Sequence, residues 1–165
     1  MIILGIDPGY AIVGFGVIEK DRTGKCKVID YGTIETHKTE KFADRLSKIY
    51  DGIKVLIAKY KPDAVALEEL FFNNNITTGI AVAEARGVII VALIQECVNL
   101  FEYTPLQIKQ AMTGNGRAEK QQVQYMTRMI LNLKTIPKPD DAADALAVAL
   151  TCAQTNNILG KNNLV

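Results

Sequence analysis

Histidine is almost missing from this chain of 165 residues, where His37 stands alone. Chemistry that needs a histidine base or a multi-histidine metal site must run through that one side chain or is excluded. His37 has no positioned partner in the sequence and reads as a surface residue. Cysteine is also sparse. Cys26, Cys97 and Cys152 form neither a CxxC pair nor a zinc spacing, so they read as reduced thiols in a cytoplasmic protein. Long apolar runs are lacking too. The longest, Val88 to Ile94, is far short of the ~20 residues a membrane span needs. Ile2 to Ile6 runs straight into Asp7 with no basic stretch ahead of it, so no secretory signal is expected. With no internal repeat, low-complexity segment or linker, the expectation is one domain over residues 1–155 and a short tail over 156–165. At 48% hydrophobic and 22% charged residues, such a chain can bury roughly 70% of its unfolded surface without disulfide staples.

Charge of one sign is also missing from the total, which is +1, but not from its distribution. Eleven basic residues stand against six acidic ones between Lys20 and Lys61, and six against two between Glu102 and Lys138. Apart from Glu19, Glu84 and Glu96, the remaining acids are Asp7 and two short clusters: Asp63, Glu68 and Glu69; Asp140, Asp141 and Asp144. If four of these carboxylates face divalent metal, 19 basic side chains stand against 14 acidic ones elsewhere. That surface suits a polyanion, although a normal solvated surface has the same composition.

Hydrophobic spacing orders the elements. Ile2 to Asp7, Val13 to Ile18 and Lys25 to Ile34 read as three strands joined by turns. Phe42, Leu46, Ile49, Ile53, Leu56, Ile57 and Tyr60 recur at spacings of three and four and predict an amphipathic helix ending before Pro62. Ala64 to Glu68 is a fourth strand. Thr77 to about Leu100 predicts a long helix, apolar on nearly every face and so expected to be buried all round. Phe101 to Tyr103 is a fifth strand. Pro105 opens a short helix to Met112, and Val123, Met126, Ile130 and Leu133 mark another. The last helix runs from Asp140 to about Ala153, with Asp140 as its cap. The order predicts an α/β fold: a mixed five-stranded sheet with helices on both faces. Right-handed crossovers place strand four beside strand one.

In that arrangement Asp7 and Glu68 end neighbouring parallel strands at one sheet edge, where open α/β sheets carry their ligand sites. Strand alternation puts Glu68 on the face of Ala64 and Ala66, and Glu69 on the other. Asp141 and Asp144 share one helical face, and the small spacers Ala142, Ala143 and Ala145 let that helix approach the sheet. Four converging carboxylates repel one another unless a cation intervenes. All-oxygen ligation suits Mg²⁺, with Mn²⁺ as a substitute. Two such ions roughly 4 Å apart clamp a phosphodiester and activate the attacking water. Taken singly, each acid has a plainer reading as a turn former, a helix cap or a surface charge. Gly14-Phe15-Gly16 lacks the third glycine of a dinucleotide fingerprint and is followed by a strand.

The sequence closely resembles the RuvC family of Holliday junction resolvases, in the RNase H-like nuclease superfamily. The ordered series that carries the likeness starts at Gly5-Ile6-Asp7-Pro8-Gly9 with Gly14-Phe15-Gly16. Ala66-Leu67-Glu68-Glu69-Leu70-Phe71-Phe72 with Asn75 follows, then Ala85-Arg86-Gly87 and Glu102-Tyr103-Thr104-Pro105. Ile108-Lys109-Gln110 with Thr113-Gly114, Ala118-Glu119-Lys120, and Asp140 to Ala147 complete it. The resemblance implies an RNase H-like fold and a metal-dependent endonuclease with Asp7, Glu68, Asp141 and Asp144 as catalytic, metal-binding carboxylates. It implies two Mg²⁺ ions per site and a homodimer that nicks four-way DNA symmetrically. It also implies RuvA and RuvB as partners, and DNA contacts from Phe71, Asn75, Lys109 and Lys120. Thr77 to Leu100 is the expected dimer helix. The chain departs from many relatives at Asn74, where a basic residue is common, and at Tyr125, where histidine is common. Two other readings remain at this stage: an RNA-cutting nuclease resembling the YqgF family, or a junction-binding module without catalysis.

Overall fold

The computed structural model describes residues 1–70, 76–96 and 99–155. Five strands, β1 (Ile2–Asp7), β2 (Ile12–Lys20), β3 (Cys26–Glu35), β4 (Ala64–Glu68) and β5 (Leu100–Tyr103), form one sheet in the order β3-β2-β1-β4-β5. The β1–β2 and β2–β3 pairs are antiparallel, while β1–β4 and β4–β5 are parallel. The expected neighbour relation holds, with Gly5 opposite Ala66 and Ile6 opposite Leu67.

Helices α1 (Phe42–Tyr60) and α2 (Ile76–Gln95) cover one face. Ile49, Ile53, Leu56 and Ile57 of α1 and Ala85, Ile89, Ala92 and Leu93 of α2 pack there on Leu4, Ile6, Val65 and Leu67. Side chains such as Ile49 and Leu93, wholly excluded from water, each stabilise the fold by about 1.5–3 kcal/mol. On the opposite face lie α3 (Pro105–Thr113), α4 (Lys120–Ile130) and α5 (Asp140–Thr155). Helix α3 starts at a Thr104 cap, whose hydroxyl accepts from Gln107 N while Gln107 Oε1 accepts from Thr104 N, with Pro105 in the first turn.

Helix α5 lies unusually close to the sheet. Gly5 and Gly16 are cross-strand partners, and Gly14 is opposite Asp7. A Cβ at Gly5 would overlap the Ala145 carbonyl, one at Gly14 the Asp141 carbonyl, and one at Gly16 the Leu146 side chain. Gly5 therefore meets the backbone of Ala145 and Ala149, and Gly14 that of Asp141, so that strand backbone packs on helix backbone.

Three expectations change. Helix α2 ends at Gln95 rather than near Leu100, because Val65 N already donates to Asn99 O and Leu100 pairs with Val65. That helix is not buried all round: Ile80, Val91 and Ile94 are 55, 50 and 46% exposed. Nothing in the described chain packs over that stripe, because the sheet and α1 occupy the opposite side. Helix α4 stops at Ile130, since Asn132 takes a left-handed conformation, and Leu133 packs on the core from beyond the helix. Among the described residues no helix is long and apolar enough to cross a membrane. The expected tail, 156–165, lies outside the described residues.

Candidate active site

Three elements bring the four carboxylates together. Asp7 ends β1, Glu68 ends β4, and Asp141 and Asp144 lie in the first turns of α5. Asp7 faces α5 because Ile3 and Gly5, four and two residues before it, do so. Glu68 shares that face with Ala64 and Ala66, as strand alternation predicts. The glycine seat under α5 sets the approach, since Gly14 is opposite Asp7 in the sheet and lies directly under Asp141.

The electrostatics are those of crowded acids. Burial first, then the charges of Glu68, Asp144 and Asp141, push the Asp7 carboxyl well above its ordinary range. Burial and Asp144 push Glu68 up to about 7, against a hydrogen bond from Asp7 and the charges of Lys120 and Lys109. Burial also raises Asp144, which the Lys120 ammonium partly offsets. Lys120 Nζ lies 2.6 Å from Asp144 Oδ2. Lys120 opens α4, where Glu119 N donates to Gln122 Oε1.

Beside the acids is a cleft of about 260 Å³ lined by Glu68, Asp144, Lys109 and Lys120, with Pro105, Ile108, Val123 and Ala147 as its apolar part. Both lysines expected to contact DNA therefore stand at the carboxylates. Phe71 and Asn75, the other two expected contacts, lie outside the described residues, as does Asn74. Tyr125 is exposed, with the Arg128 guanidinium over its ring. Asp140 departs from expectation: its carboxylate takes the Lys138 ammonium at 2.6 Å rather than serving as a cap. His37 is exposed and tied locally to Thr39.

Among the described residues no three acidic, histidine or cysteine side chains form a ready-made cage for one ion. The acids are instead paired, Glu68 with Asp7 and Asp144 with Lys120. That pattern fits Mg²⁺, which keeps much of its water and is held by one or two carboxylates plus substrate phosphate. Four acids balanced by Lys120 and Lys109 leave the site short of positive charge, and hard oxygen donors suit a hard divalent cation.

The sequence reading missed two features. The Lys120–Asp144 pair joins two helices whose relative placement no local spacing reveals. The glycine seat did have a signal: Gly5, Gly14 and Gly16 recur on one face of the first two strands, opposite an alanine-rich helix.

Comparison with known proteins gives concordant results. The family model described as crossover junction endodeoxyribonuclease RuvC matches residues 3–152. A protein of that name from Ruminiclostridium cellulolyticum is 55% identical over 150 residues, covering 91% of this chain and 90% of the relative. Another, from Alkaliphilus metalliredigens, is 54% identical over 157 residues and covers 95% of each chain. The solved structure of T. thermophilus RuvC in complex with Holliday junction substrate superposes with a TM-score of 0.93 at 35% identity, covering 99% of both chains. The RNase H-like architecture expected from the sequence is the one this match carries.

Proposed function

We propose, from the premise that the chain belongs to the RuvC family of crossover junction endodeoxyribonucleases, that it resolves four-way (Holliday) DNA junctions by paired symmetric nicks. The observation that carries this reading is the convergence of Asp7, Glu68, Asp141 and Asp144 on a cleft whose walls hold Lys109 and Lys120. A module that only bound DNA would gain nothing from four acids beside phosphate. An RNA-cutting relative is disfavoured by the extent of the RuvC match.

The family implies dependence on divalent metal, and we assign Mg²⁺ to the site, two ions per site, with Mn²⁺ able to substitute. When bound, such ions polarise the phosphoryl group and lower the pKa of the attacking water. The chain's own residues do the rest. Asp7 and Glu68, held by neighbouring strands, present oxygen ligands at a fixed spacing. Asp141 and Asp144 close the site from a helix that cannot recede, because glycine lets it lie on the sheet. Burial raises the carboxyl pKa values of Asp7, Glu68 and Asp144, so a cation beside them relieves the cost of holding these charges together. Lys120, which holds Asp144, and Lys109 across the cleft supply ammonium groups for the substrate phosphates. Phe71 and Asn75 complete the DNA contact in this reading, Phe71 by stacking on an unpaired base.

The unit that acts is a homodimer in the cytoplasm, working with RuvA and RuvB. The exposed stripe of α2 supports a two-fold contact. Ile80, Glu84, Gly87, Val91 and Ile94 follow one another along one side of the helix, and a Cβ at Gly87 would meet nothing within 4 Å. A helix-interior glycine costs about 1 kcal/mol relative to alanine, and close approach of a second helix explains its place here. Two active sites related by a two-fold axis match a two-fold DNA substrate.

Incubation with a mobile four-way junction, linear duplex and structured RNA, each in Mg²⁺ and in chelator, tests the reading. Paired nicks on the four-way junction alone, stopped by chelator while binding persists, are expected. Equal cutting of duplex or RNA would contradict it.

A further inference from the structure

The end of β4 is gripped on the face opposite the active site. Glu69, the next residue after Glu68, donates its N–H to Tyr103 O at 2.9 Å, continuing the ladder with β5. Strand alternation turns the Glu69 side chain toward the α2 side, where Val65 and Leu67 pack. Glu102 of β5, opposite Leu67 in the register, faces the same way. Two acidic residues therefore stand behind the site, and a cation answers the inner one, Glu102. Arg86, from the middle of α2, forms an ion pair with Glu102, the two side chains being only 21 and 19% exposed. Burial lowers the Arg86 pKa, and the charge of the exposed Glu69 offsets part of that. Arg86 Nε is enclosed and has no hydrogen-bond partner among the described residues, and Glu102 is the carboxylate that pairs with the guanidinium.

We propose that Arg86 is a positioning residue for Glu68: by holding Glu102 against α2 it fixes the end of β5, whose Tyr103 carbonyl takes the Glu69 N–H, and with it the peptide link between residues 68 and 69 and the direction in which the Glu68 carboxylate enters the site. The proposal rests on the reading of Glu68 as a metal-binding carboxylate. It gives α2 a second role. The same helix that offers an outer stripe to a partner holds, through Arg86, the strand end that carries a catalytic acid. A shift of α2 is then felt at Glu68 without any contact between the partner and the site.

Mn²⁺ binding to the DNA-free protein, read by calorimetry, tests this beside junction nicking and thermal melting. Arg86→Met is expected to weaken Mn²⁺ binding by about tenfold and nicking by at least as much, the scale of lost outer-shell support, with junction affinity unchanged. Arg86→Lys, which keeps the charge, should recover part of both. The double variant Arg86→Met with Glu102→Met removes the orphaned acid, and so remains informative if the single variant melts too low to use. It should regain melting temperature but not Mn²⁺ affinity, because the end of β5 that holds the Glu69 N–H is no longer tied to α2. Wild-type Mn²⁺ affinity and nicking in the double variant would overturn the positioning role and leave Arg86 a purely structural ion. Wild-type protein that bound no Mn²⁺ would overturn the reading of the site itself, and this proposal with it.

Discussion

Glu68 ties the stability of the chain to pH. Burial and Asp144 hold its folded-state pKa at about 7, above the ordinary 4.5, so the folded chain binds this proton more tightly than the unfolded one. Its contribution to stability is therefore complete below 4.5 and is lost as pH rises through about 7. Asp7 acts in the same direction. Glu68→Gln, which cannot ionise, should melt above the wild type at pH 8 in chelator and level with it near pH 4.5. Each kcal/mol recovered is worth roughly 2–4 °C at this chain length. Calorimetric melting curves that stay parallel across that range would contradict the assignment. At this scale the sequence was informative where a residue's place follows from its element. Strand ends located Asp7 and Glu68, and helical spacing paired Asp141 with Asp144. It was silent where two elements must first be docked, as for Lys120 on Asp144 or Arg86 on Glu102.

Helix α2 shows both the reach and the limit of hydrophobic patterning. Its apolar content predicted burial on every side, yet Ile80, Val91 and Ile94 face outward. Apolar periodicity reports that a face is covered, not by which chain. If a second copy covers it, Val91→Glu should place two carboxylates near one another across the two-fold axis, at a cost of several kcal/mol. Sedimentation is then expected to show a monomer that melts close to the wild type, because Val91 makes no core contact in its own chain. A dimer as tight as the wild type would remove α2 from the interface. The other elements were legible nearly to their ends, since period, Pro62 and Pro105 marked them. The C-terminal end of α2 was not, because its last apolar residues belong to the approach to β5. The close approach of α5 was legible on the helix side, in Ala142, Ala143 and Ala145, while the matching glycines Gly5, Gly14 and Gly16 take their meaning only once that helix lies on the sheet.

On the scale of the whole molecule, a mixed sheet places two carboxylates at its edge, a closely seated helix adds two more, and lysines from α3 and α4 face them across a cleft. The opposite face of the sheet carries the helix with the exposed apolar stripe. Metal-dependent nicking of a four-way junction follows if the acids are the chemical centre and the lysines serve the phosphates. The most direct test sets the wild type beside Asp7→Asn on one mobile four-way junction in Mg²⁺, measuring binding and nicking together. The variant should bind at least as tightly, since it carries one charge fewer beside phosphate. Its nicking should fall by more than the roughly 10–100-fold that loss of outer-shell support costs a metal site. Asp7→Asn that nicks near the wild-type rate, or wild type that binds the junction and never cuts it, would contradict the account.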